Sequence, residues 1–171
     1  MIEPVTESAN WQPKDWIAFG AAIVSVVSAI VSWAGASVTR RLAMGQAETA
    51  LRAAIRATRE SVRDIAIKIA EVKGGTADEN YSEDQKAKLE ILSHTFREAT
   101  EDNLNSYEDA CGKYLDKKID RDRFKRMFYT EIVNLGQVQE NSVIYSMMYP
   151  EQQSRFKAIW KVYHQWTNLE T

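Results

Sequence analysis

The sequence predicts an all-α protein with a single N-terminal transmembrane helix that continues into a long stalk helix, followed by a small cytosolic helical bundle. Two observations carry this prediction: an uncharged apolar stretch near the N-terminus, and apolar residues at helical spacing through the rest of the 171-residue chain. The predicted segments are an extracytoplasmic N-terminal segment (1–15), the transmembrane helix (16–39), a juxtamembrane coiled-coil-like stalk (40–73), a linker (74–81) and the cytosolic helical domain (82–171).

The transmembrane prediction rests on the stretch "WIAFGAAIVSVVSAIVSWAGASVT", residues 16–39, which contains no charged residue. A bilayer core about 30 Å thick requires roughly 20 apolar residues in a helix. The preceding segment is mostly acidic, whereas a cleaved signal peptide begins with basic residues, which disfavours that alternative. Arg40, Arg41, Arg52 and Arg56 follow the stretch. Their charge predicts a single-pass membrane protein with its N-terminus outside and its C-terminal domain in the cytoplasm.

Small residues form one stripe along the predicted transmembrane helix. Their spacing alternates between three and four residues, which places all of them on one helix face. Small side chains let helices approach closely, and hydroxyl groups can bond across the contact, so we expect a homo-oligomer within the lipid bilayer. Ordinary tolerance of small residues in a membrane helix is the alternative. The stripe consists of Ala18, Ala21, Ser25, Ser28, Ser32, Gly35 and Thr39.

The stalk prediction rests on residues 40–73, which contain no proline and carry apolar residues at alternating spacings of four and three. This spacing is typical of a coiled coil or of a helical bundle. The predicted helix runs from 16 to 73, where two glycines end it, and a bend near Gly45 is the alternative to a continuous helix. The predicted contact face consists of Leu51, Ile55, Thr58, Val62, Ile65, Ile69 and Val72.

The C-terminal domain is predicted to contain at least three further helices. The first begins with the capping-box pattern "SEDQ" at Ser82, and Asp120 caps the next, whose end is weakened by Gly136. Residues 141–149 are ambiguous between turn, strand and loop, and Pro150 suits the first turn of the last helix. The apolar faces of the last two helices are predicted to contain Phe124, Met127, Phe128, Ile132 and Leu135, and Phe156, Ile159, Trp160, Tyr163 and Trp166.

The sequence contains no metal-ligand spacing, no nucleophile motif and no phosphate-binding glycine loop, so we expect neither a cofactor nor an enzyme. His94 and His164 fall on separate predicted helices. The single cysteine, Cys111, excludes an intrachain disulfide, fits a reducing compartment and is interpreted as a small core residue.

Positive charge is concentrated in residues 113–126, "KYLDKKIDRDRFKR", although the net charge of the chain is only −2. This cluster surrounds a predicted helix junction, where basic side chains and a helix N-terminus favour an anion, and two aromatic residues could stack on a base. The low net charge argues against duplex nucleic acid as a partner. The predicted ligand site consists of Lys117, Lys118, Arg121, Arg123, Lys125, Arg126, Tyr114 and Phe124.

Two alternatives for this positive charge remain open. The cluster could pair with the mostly acidic residues 78–109, or it could simply keep the surface soluble. Phospholipid headgroups are a further candidate partner, and they are best matched to Arg40, Arg41 and Arg52 beside the predicted bilayer.

Residues 103–169 resemble a recurring helical cytosolic module of uncharacterised bacterial membrane-anchored proteins. The resemblance is carried by "NLNSYEDACGKYLDKKIDRDRFKRMFYTEIVNL" and "FKAIWKVYHQWTNLE", which contain an Asn-rich helix, an "ID..RFK" turn and a "KVY..W" ending. It implies a bacterial protein with a helical module, and the predicted membrane is then the bacterial inner membrane. The predicted architecture is also similar to that of membrane effectors of bacterial antiphage defence, some of which respond to cyclic oligonucleotides, so such an anion is a candidate ligand.

Three functions are consistent with these observations. The first is an oligomeric membrane protein whose cytosolic domain binds a partner or an anionic ligand as a regulatory or defence component. The second is an antiphage effector that disrupts the membrane or forms a pore when a nucleotide second messenger binds. The third is a passive structural membrane anchor.

Overall fold

The computed structural model describes residues 13–74 and 81–168, with side chains from Val24 onward. Within these residues the protein is helical and contains no strand, which confirms the all-α prediction. The predicted segment 1–15 up to residue 12 and the predicted linker from 75 to 80 lie outside the described residues. The helices are α1 (Pro13–Lys73), α2 (Glu83–Leu115), α3 (Arg121–Gly136), α4 (Val143–Met148) and α5 (Lys157–Thr167), with one 3-10 turn (Glu151–Gln153) before α5.

The prediction of a transmembrane helix over residues 16–39 is corrected by the structure. Among the described residues, no helix is long and apolar enough to cross a membrane. Arg40 and Arg41 end the apolar run on its C-terminal side.

The chain forms two compact units, Met1–Ala43 and Met44–Thr171. In the first unit, the described large apolar side chains of α1 are exposed to solvent. They are Val24, Val26, Val27, Ile30, Val31, Trp33, Val38 and Leu42. The second unit contains the hydrophobic core, and the two basic regions described below belong to this unit.

The C-terminal part of α1 supplies part of that core. Leu51 and Ile55 are 4 % and 3 % exposed and belong to the same apolar cluster as α2, α3 and α5. Further along, Thr58 Oγ1 accepts a hydrogen bond of 2.9 Å from Asn103 Nδ2 of α2. The predicted contact face of the stalk is therefore used within one chain, as expected for a helical bundle.

The remaining core comes from α2 to α5. Helix α5 packs against α2 and α3, and α4 packs against α2. Cys111 is fully buried in this core, as predicted from the sequence. The largest fully buried side chains are Trp166, Phe156, Leu104, Ile119, Ile132, Met148, Ile159, Val162 and Cys111.

Local capping signals set the helix ends. The predicted capping box at Ser82 is confirmed, because its hydroxyl accepts from the Gln85 N–H while the Gln85 side chain accepts from the Ser82 N–H. Helix α1 ends at Lys73, where Gly74 takes a φ of +48° that glycine adopts without a Cβ penalty.

The last helix begins later than the sequence predicts. Pro150 precedes the 3-10 turn, and α5 begins only at Lys157. Ser154 is buried between them, and its N–H bonds back to the Pro150 and Glu151 carbonyls, which closes the turn before α5 can start. The ambiguous stretch 141–149 contains α4, capped by the Ser142 hydroxyl.

Candidate functional site

The predicted ligand site lies at the junction between α2 and α3. Asp120 caps α3 as predicted, because its Oδ1 accepts the Arg123 N–H at 2.9 Å. Lys117 has a φ of +57°, which turns the chain. The side chain of Ile119 is only 1 % exposed and packs the connection against the core. The junction thus consists of a capping residue, a residue in the left-handed conformation and one buried residue that packs into the core.

The two aromatic residues predicted to stack on a base are core residues. Tyr114 and Phe124 are 4 % and 2 % exposed, and their ring centroids lie 5.4 Å apart. The Tyr114 hydroxyl accepts a buried hydrogen bond of 3.0 Å from Trp166 Nε1. The predicted stacking role is therefore wrong, because neither ring presents a face to a ligand at the surface.

A carboxylate from α1 occupies the junction where an external anion was expected. Glu48 is 6 % exposed, its Oε1 accepts the Asp120 N–H at 2.9 Å, and its Oε2 lies 3.3 Å from Arg123 Nη1. Arg52 Nη2 lies 4.0 Å from the same oxygen. A buried carboxylate needs such partners to offset its loss of hydration. The junction therefore receives its anion from the chain itself.

Most of the other predicted basic residues also have intramolecular contacts. Lys118 pairs with Asp116 at 2.8 Å, which raises the pKa of Lys118. The Arg121 guanidinium lies 4.6 Å from the Tyr114 ring centroid, and Lys125 Nζ lies 5.5 Å from that of Tyr129.

Two exposed cations of the cluster, Lys117 and Arg126, make no ion pair with any residue that the structure describes. Arg126 and Lys125 line a shallow depression together with Asp122 and Tyr129. The junction thus pairs Lys118 and Arg123 with carboxylates and leaves Lys117 and Arg126 exposed. The suggested pairing with residues 78–109 is represented by the Lys113–Asp109 contact of 2.7 Å.

A second basic region, which the sequence analysis did not identify as a site, lies between α1 and α3. It is a groove of about 340 Å³, which we call the arginine groove. Ile55 and Phe128 form its apolar floor, and the remaining lining consists of four arginines and two glutamates. These charged residues are Arg52, Arg56, Arg59, Arg63, Glu60 and Glu131.

Only Arg59 among the four arginines is held in place by two other side chains. Arg59 Nη2 donates a hydrogen bond to the Tyr107 hydroxyl and lies 3.4 Å from Glu131 Oε1. The bond to Tyr107 is the main cause of a raised pKa at Arg59, while burial raises the pKa of Tyr107 itself. Arg52 is less constrained, because within the described residues it has only the 4.0 Å contact with Glu48.

The other two arginines are available to a ligand. Arg56 is 83 % exposed and makes only a long contact of 3.7 Å with the exposed Glu60. Arg63 makes no ion pair within the described residues. Exposed pairs of the Arg56–Glu60 kind contribute little, about 0–1 kcal/mol, so a stronger anion can displace them. The groove therefore combines one fixed guanidinium group, that of Arg59, with three adaptable ones.

The signal for this groove was present in the sequence. Arginines 52, 56, 59 and 63 follow the spacing four, three, four, which places them on one stripe of a helix. In the sequence, Arg52 and Arg56 were interpreted only as charges beside a membrane. The arginine spacing was not compared with the spacing of Leu51 and Ile55, which lie on the adjacent buried face of the same helix.

The small-residue stripe lies in the first unit. Its members Ala18 and Ala21 lie outside the residues whose side chains are described. Ser25, Ser28, Ser32, Gly35 and Thr39 are exposed on α1, and the Thr39 hydroxyl donates to the Gly35 carbonyl at 3.0 Å. The stripe is thus an exposed helix face in this structure.

Other polar clusters of the second unit have structural roles. The Glu108 carboxylate accepts the Ala158 and Ile159 N–H groups at 2.8 and 3.0 Å, which fills the N-terminus of α5. Burial raises the pKa of the Cys111 thiol, which keeps it protonated. Among the described residues, no group of His, Cys, Asp and Glu side chains could hold a metal ion.

Comparison with known proteins gives no match: no family model fits the chain, and no curated protein and no solved structure is detectably similar to it. The resemblance of residues 103–169 to a bacterial helical module stays a prediction. The geometry of the two basic regions is therefore the basis for the function proposed below.

Proposed function

We propose that this chain is a non-catalytic helical binding module that captures an anionic ligand in the arginine groove. The observation that carries the proposal is the row of four arginines on one stripe of α1, facing a groove against α3. Guanidinium groups present planar pairs of donors that match phosphate and carboxylate oxygens. Arg52, Arg56 and Arg59 each contact one glutamate, whereas Arg63 makes no ion pair within the described residues, so the groove keeps a small excess of positive charge.

Preorganisation supports the same proposal. Arg59 is fixed by Tyr107 and Glu131, so part of the binding geometry exists before the ligand arrives. Holding one donor in place reduces the side-chain entropy that binding would otherwise cost. The apolar floor of Ile55 and Phe128 lowers the local polarity and strengthens charge-assisted hydrogen bonds.

Calorimetric titration with inorganic pyrophosphate tests this proposal. We expect saturable binding that weakens as salt concentration rises, because exposed charges are screened. The double substitution Arg56→Gln, Arg63→Gln should weaken binding by about tenfold or more, since each charged hydrogen bond contributes about 1.5–3 kcal/mol. Arg97→Gln, at an exposed arginine of α2 outside the groove lining, is the matched control and should bind as the parent does.

Equal affinity of the double variant and the parent would place the anion site outside the groove. Absence of saturable binding to the parent would contradict the proposal altogether. Circular dichroism of each variant checks that the helical fold is retained, which is expected because the substituted side chains are exposed.

A second candidate function, self-association through the first unit, is favoured by the exposed apolar side chains of α1. Val24, Ile30 and Val31 are between 59 % and 65 % exposed, and Trp33 is 76 % exposed. Burying such side chains is favourable by about 25 cal/mol per Å² of apolar area. Residues 24–39 carry no charge, so the surface suits an uncharged helix, and a second copy of this chain supplies one.

Light scattering at several protein concentrations tests self-association. We expect an oligomer, and we expect Val24→Ser and Ile30→Ser together to weaken it by removing apolar area from the contact. Ile67→Ser and Ile91→Ser together, at exposed apolar residues of the second unit, are the matched control. A monomer at every concentration would contradict this candidate.

The gated-pore function and the passive-anchor function both required a transmembrane helix. They are not proposed, because no described helix is able to span a membrane. The role of the groove as a binding site does not depend on that helix.

A further inference from the structure

We infer that the arginine groove takes one doubly charged phosphoryl group, which displaces Glu131 from Arg59. The group is then bound by Arg59 together with its neighbours in the row, Arg56 and Arg63. This inference rests on the proposed function and specifies two things about the same site: the chemical class of its ligand, and the side chain of the protein that competes with that ligand.

Arg59 is the centre of the anion position. Its Nη2 donates to the Tyr107 hydroxyl and lies 3.4 Å from Glu131 Oε1, so both contacts use that one nitrogen. Within the described residues, Nε and Nη1 of Arg59 keep their donors for a ligand. Arg56 precedes Arg59 by three residues and Arg63 follows it by four, so both lie next to it on the same helix face. One anion at Arg59 therefore has three guanidinium groups around it.

The ion pairs inside the groove are longer than strong charge-assisted hydrogen bonds. Glu131 lies 3.4 Å from Arg59 and Glu60 lies 3.7 Å from Arg56, whereas such bonds measure about 2.7–2.9 Å. The side chains of Glu131 and Glu60 are also 35 % and 68 % exposed. A phosphoryl oxygen that bonds Arg59 directly can therefore displace Glu131, because a partly exposed pair of this kind contributes little and the freed carboxylate is hydrated.

The charges of these residues match a dianion. The three arginines supply three positive charges, and Glu60 opposes one of them. Once Glu131 is displaced, two positive charges remain. A phosphate monoester, whose second pKa is about 6, neutralises both at pH 8 and offers three acceptor oxygens. A carboxylate or a sulfate ester carries one charge, so it only replaces Glu131 and gains nothing at Arg59.

Calorimetry with phenyl phosphate and phenyl sulfate at pH 8 tests the inference on the full chain. The two compounds share the ring and a tetrahedral anionic group, but only the phosphate carries two charges. We expect phenyl phosphate to bind about tenfold or more tightly than phenyl sulfate, because one further charged hydrogen bond corresponds to about that factor. Pyrophosphate is the positive control for the groove itself.

Two glutamate substitutions isolate the competing side chain. Glu131→Gln should raise the affinity for phenyl phosphate by about two- to fivefold, because the carboxylate no longer competes for Arg59. Glu90→Gln changes the net charge equally at an exposed glutamate of α2 outside the groove lining. This matched control should bind phenyl phosphate as the parent does.

Two arginine substitutions test where the anion lies along the row. Arg63→Gln should lower the affinity for phenyl phosphate by about tenfold, because it removes one of the three guanidinium groups around the anion. Arg52→Gln, seven residues from Arg59, should lower it by less than about threefold, because the charge is more distant and screened. Equal losses in the two variants would place the anion elsewhere along the row and overturn the inference.

Equal affinity for phenyl phosphate and phenyl sulfate, or an unchanged affinity in Glu131→Gln, would overturn the inference. Binding of pyrophosphate without binding of phenyl phosphate would also overturn it, and would leave the proposed function standing. Absence of saturable pyrophosphate binding would contradict the proposed function and the inference together.

Discussion

The α2–α3 junction and the arginine groove are two basic regions of the same helical unit, and they use their charge differently. At the junction, Glu48 meets the Asp120 N–H and Arg123, so the positive charge stabilises a connection between helices. In the groove, Arg56 and Arg63 have weak contacts or none within the described residues. A basic cluster becomes a candidate ligand site only where the fold does not already supply its counter-charge.

The largest expected effect concerns the aromatic residues of the junction. Phe124→Ala should lower the free energy of unfolding by about 3–5 kcal/mol, because it leaves a cavity beside Tyr114, Phe128 and Trp166. Urea denaturation followed by circular dichroism measures this loss. A change below about 1 kcal/mol would instead indicate a surface aromatic, and the comparison between the two regions would fail.

The next effect concerns the two glutamates of α1 that contact arginines. Glu48→Ala should destabilise the fold by about 1.5–3 kcal/mol, because it leaves the Asp120 N–H and the charge of Arg123 without their partner. Glu60→Ala is the matched control and should change stability by less than about 0.5 kcal/mol, since its contact with Arg56 is exposed.

Similar losses of unfolding free energy in the two variants, measured by urea denaturation, would contradict the distinction between charge that is paired within the fold and charge that is available to a ligand. The pair is informative because both residues are glutamates of the same helix.

The pH dependence of the free energy of unfolding tests whether the core beneath both basic regions excludes water. The pKa of Cys111 is raised in the folded protein, chiefly by burial, so the folded state keeps the thiol proton where the unfolded chain releases it. The stability from this group is complete below the unfolded pKa of about 8.5 and falls as pH rises above it. We expect a loss of about 1–2 kcal/mol between pH values of roughly 8.5 and 10.

Cys111→Ala should flatten this part of the pH profile in urea denaturation, although it lowers stability overall. An unchanged slope in the variant would show that other groups, such as the buried Tyr107, produce the dependence.

The smallest effect is an increase in stability. Lys117 takes a φ of +57°, so Lys117→Gly should relieve a left-handed penalty and raise the free energy of unfolding by about 0.5–1 kcal/mol. The same variant should keep the affinity for pyrophosphate. A loss of affinity would make the junction part of the binding site.

Much of the fold was predictable because local signals determine it. The capping residues Ser82 and Asp120 mark helix starts by side chains that act within three residues, and the spacing of Leu51 and Ile55 marks a buried face. The start of α5 was not predictable in this way. Pro150 fits a first helical turn equally well, and only the burial of Ser154 shows that the turn closes first.

The candidate site was less predictable because it depends on contacts between distant residues. The separation of Glu48 from Arg123 in sequence hides the ion pair that the two residues form at the junction. The burial of Tyr114 likewise depends on Trp166 of α5. Charge density alone therefore indicated the junction, whereas the arginine spacing of α1 indicates the groove that we propose as the ligand site.

The most direct test is a comparison of pyrophosphate affinity between two double variants that each remove two cations. Arg56→Gln, Arg63→Gln changes the groove, and Lys117→Gln, Lys118→Gln changes the junction, so the net charge of the chain is altered equally. We predict that the groove variant binds about tenfold or more weakly than the parent, while the junction variant stays within about twofold of it. The reverse order, or equal losses in both, would contradict the assignment of the ligand site to the arginine groove.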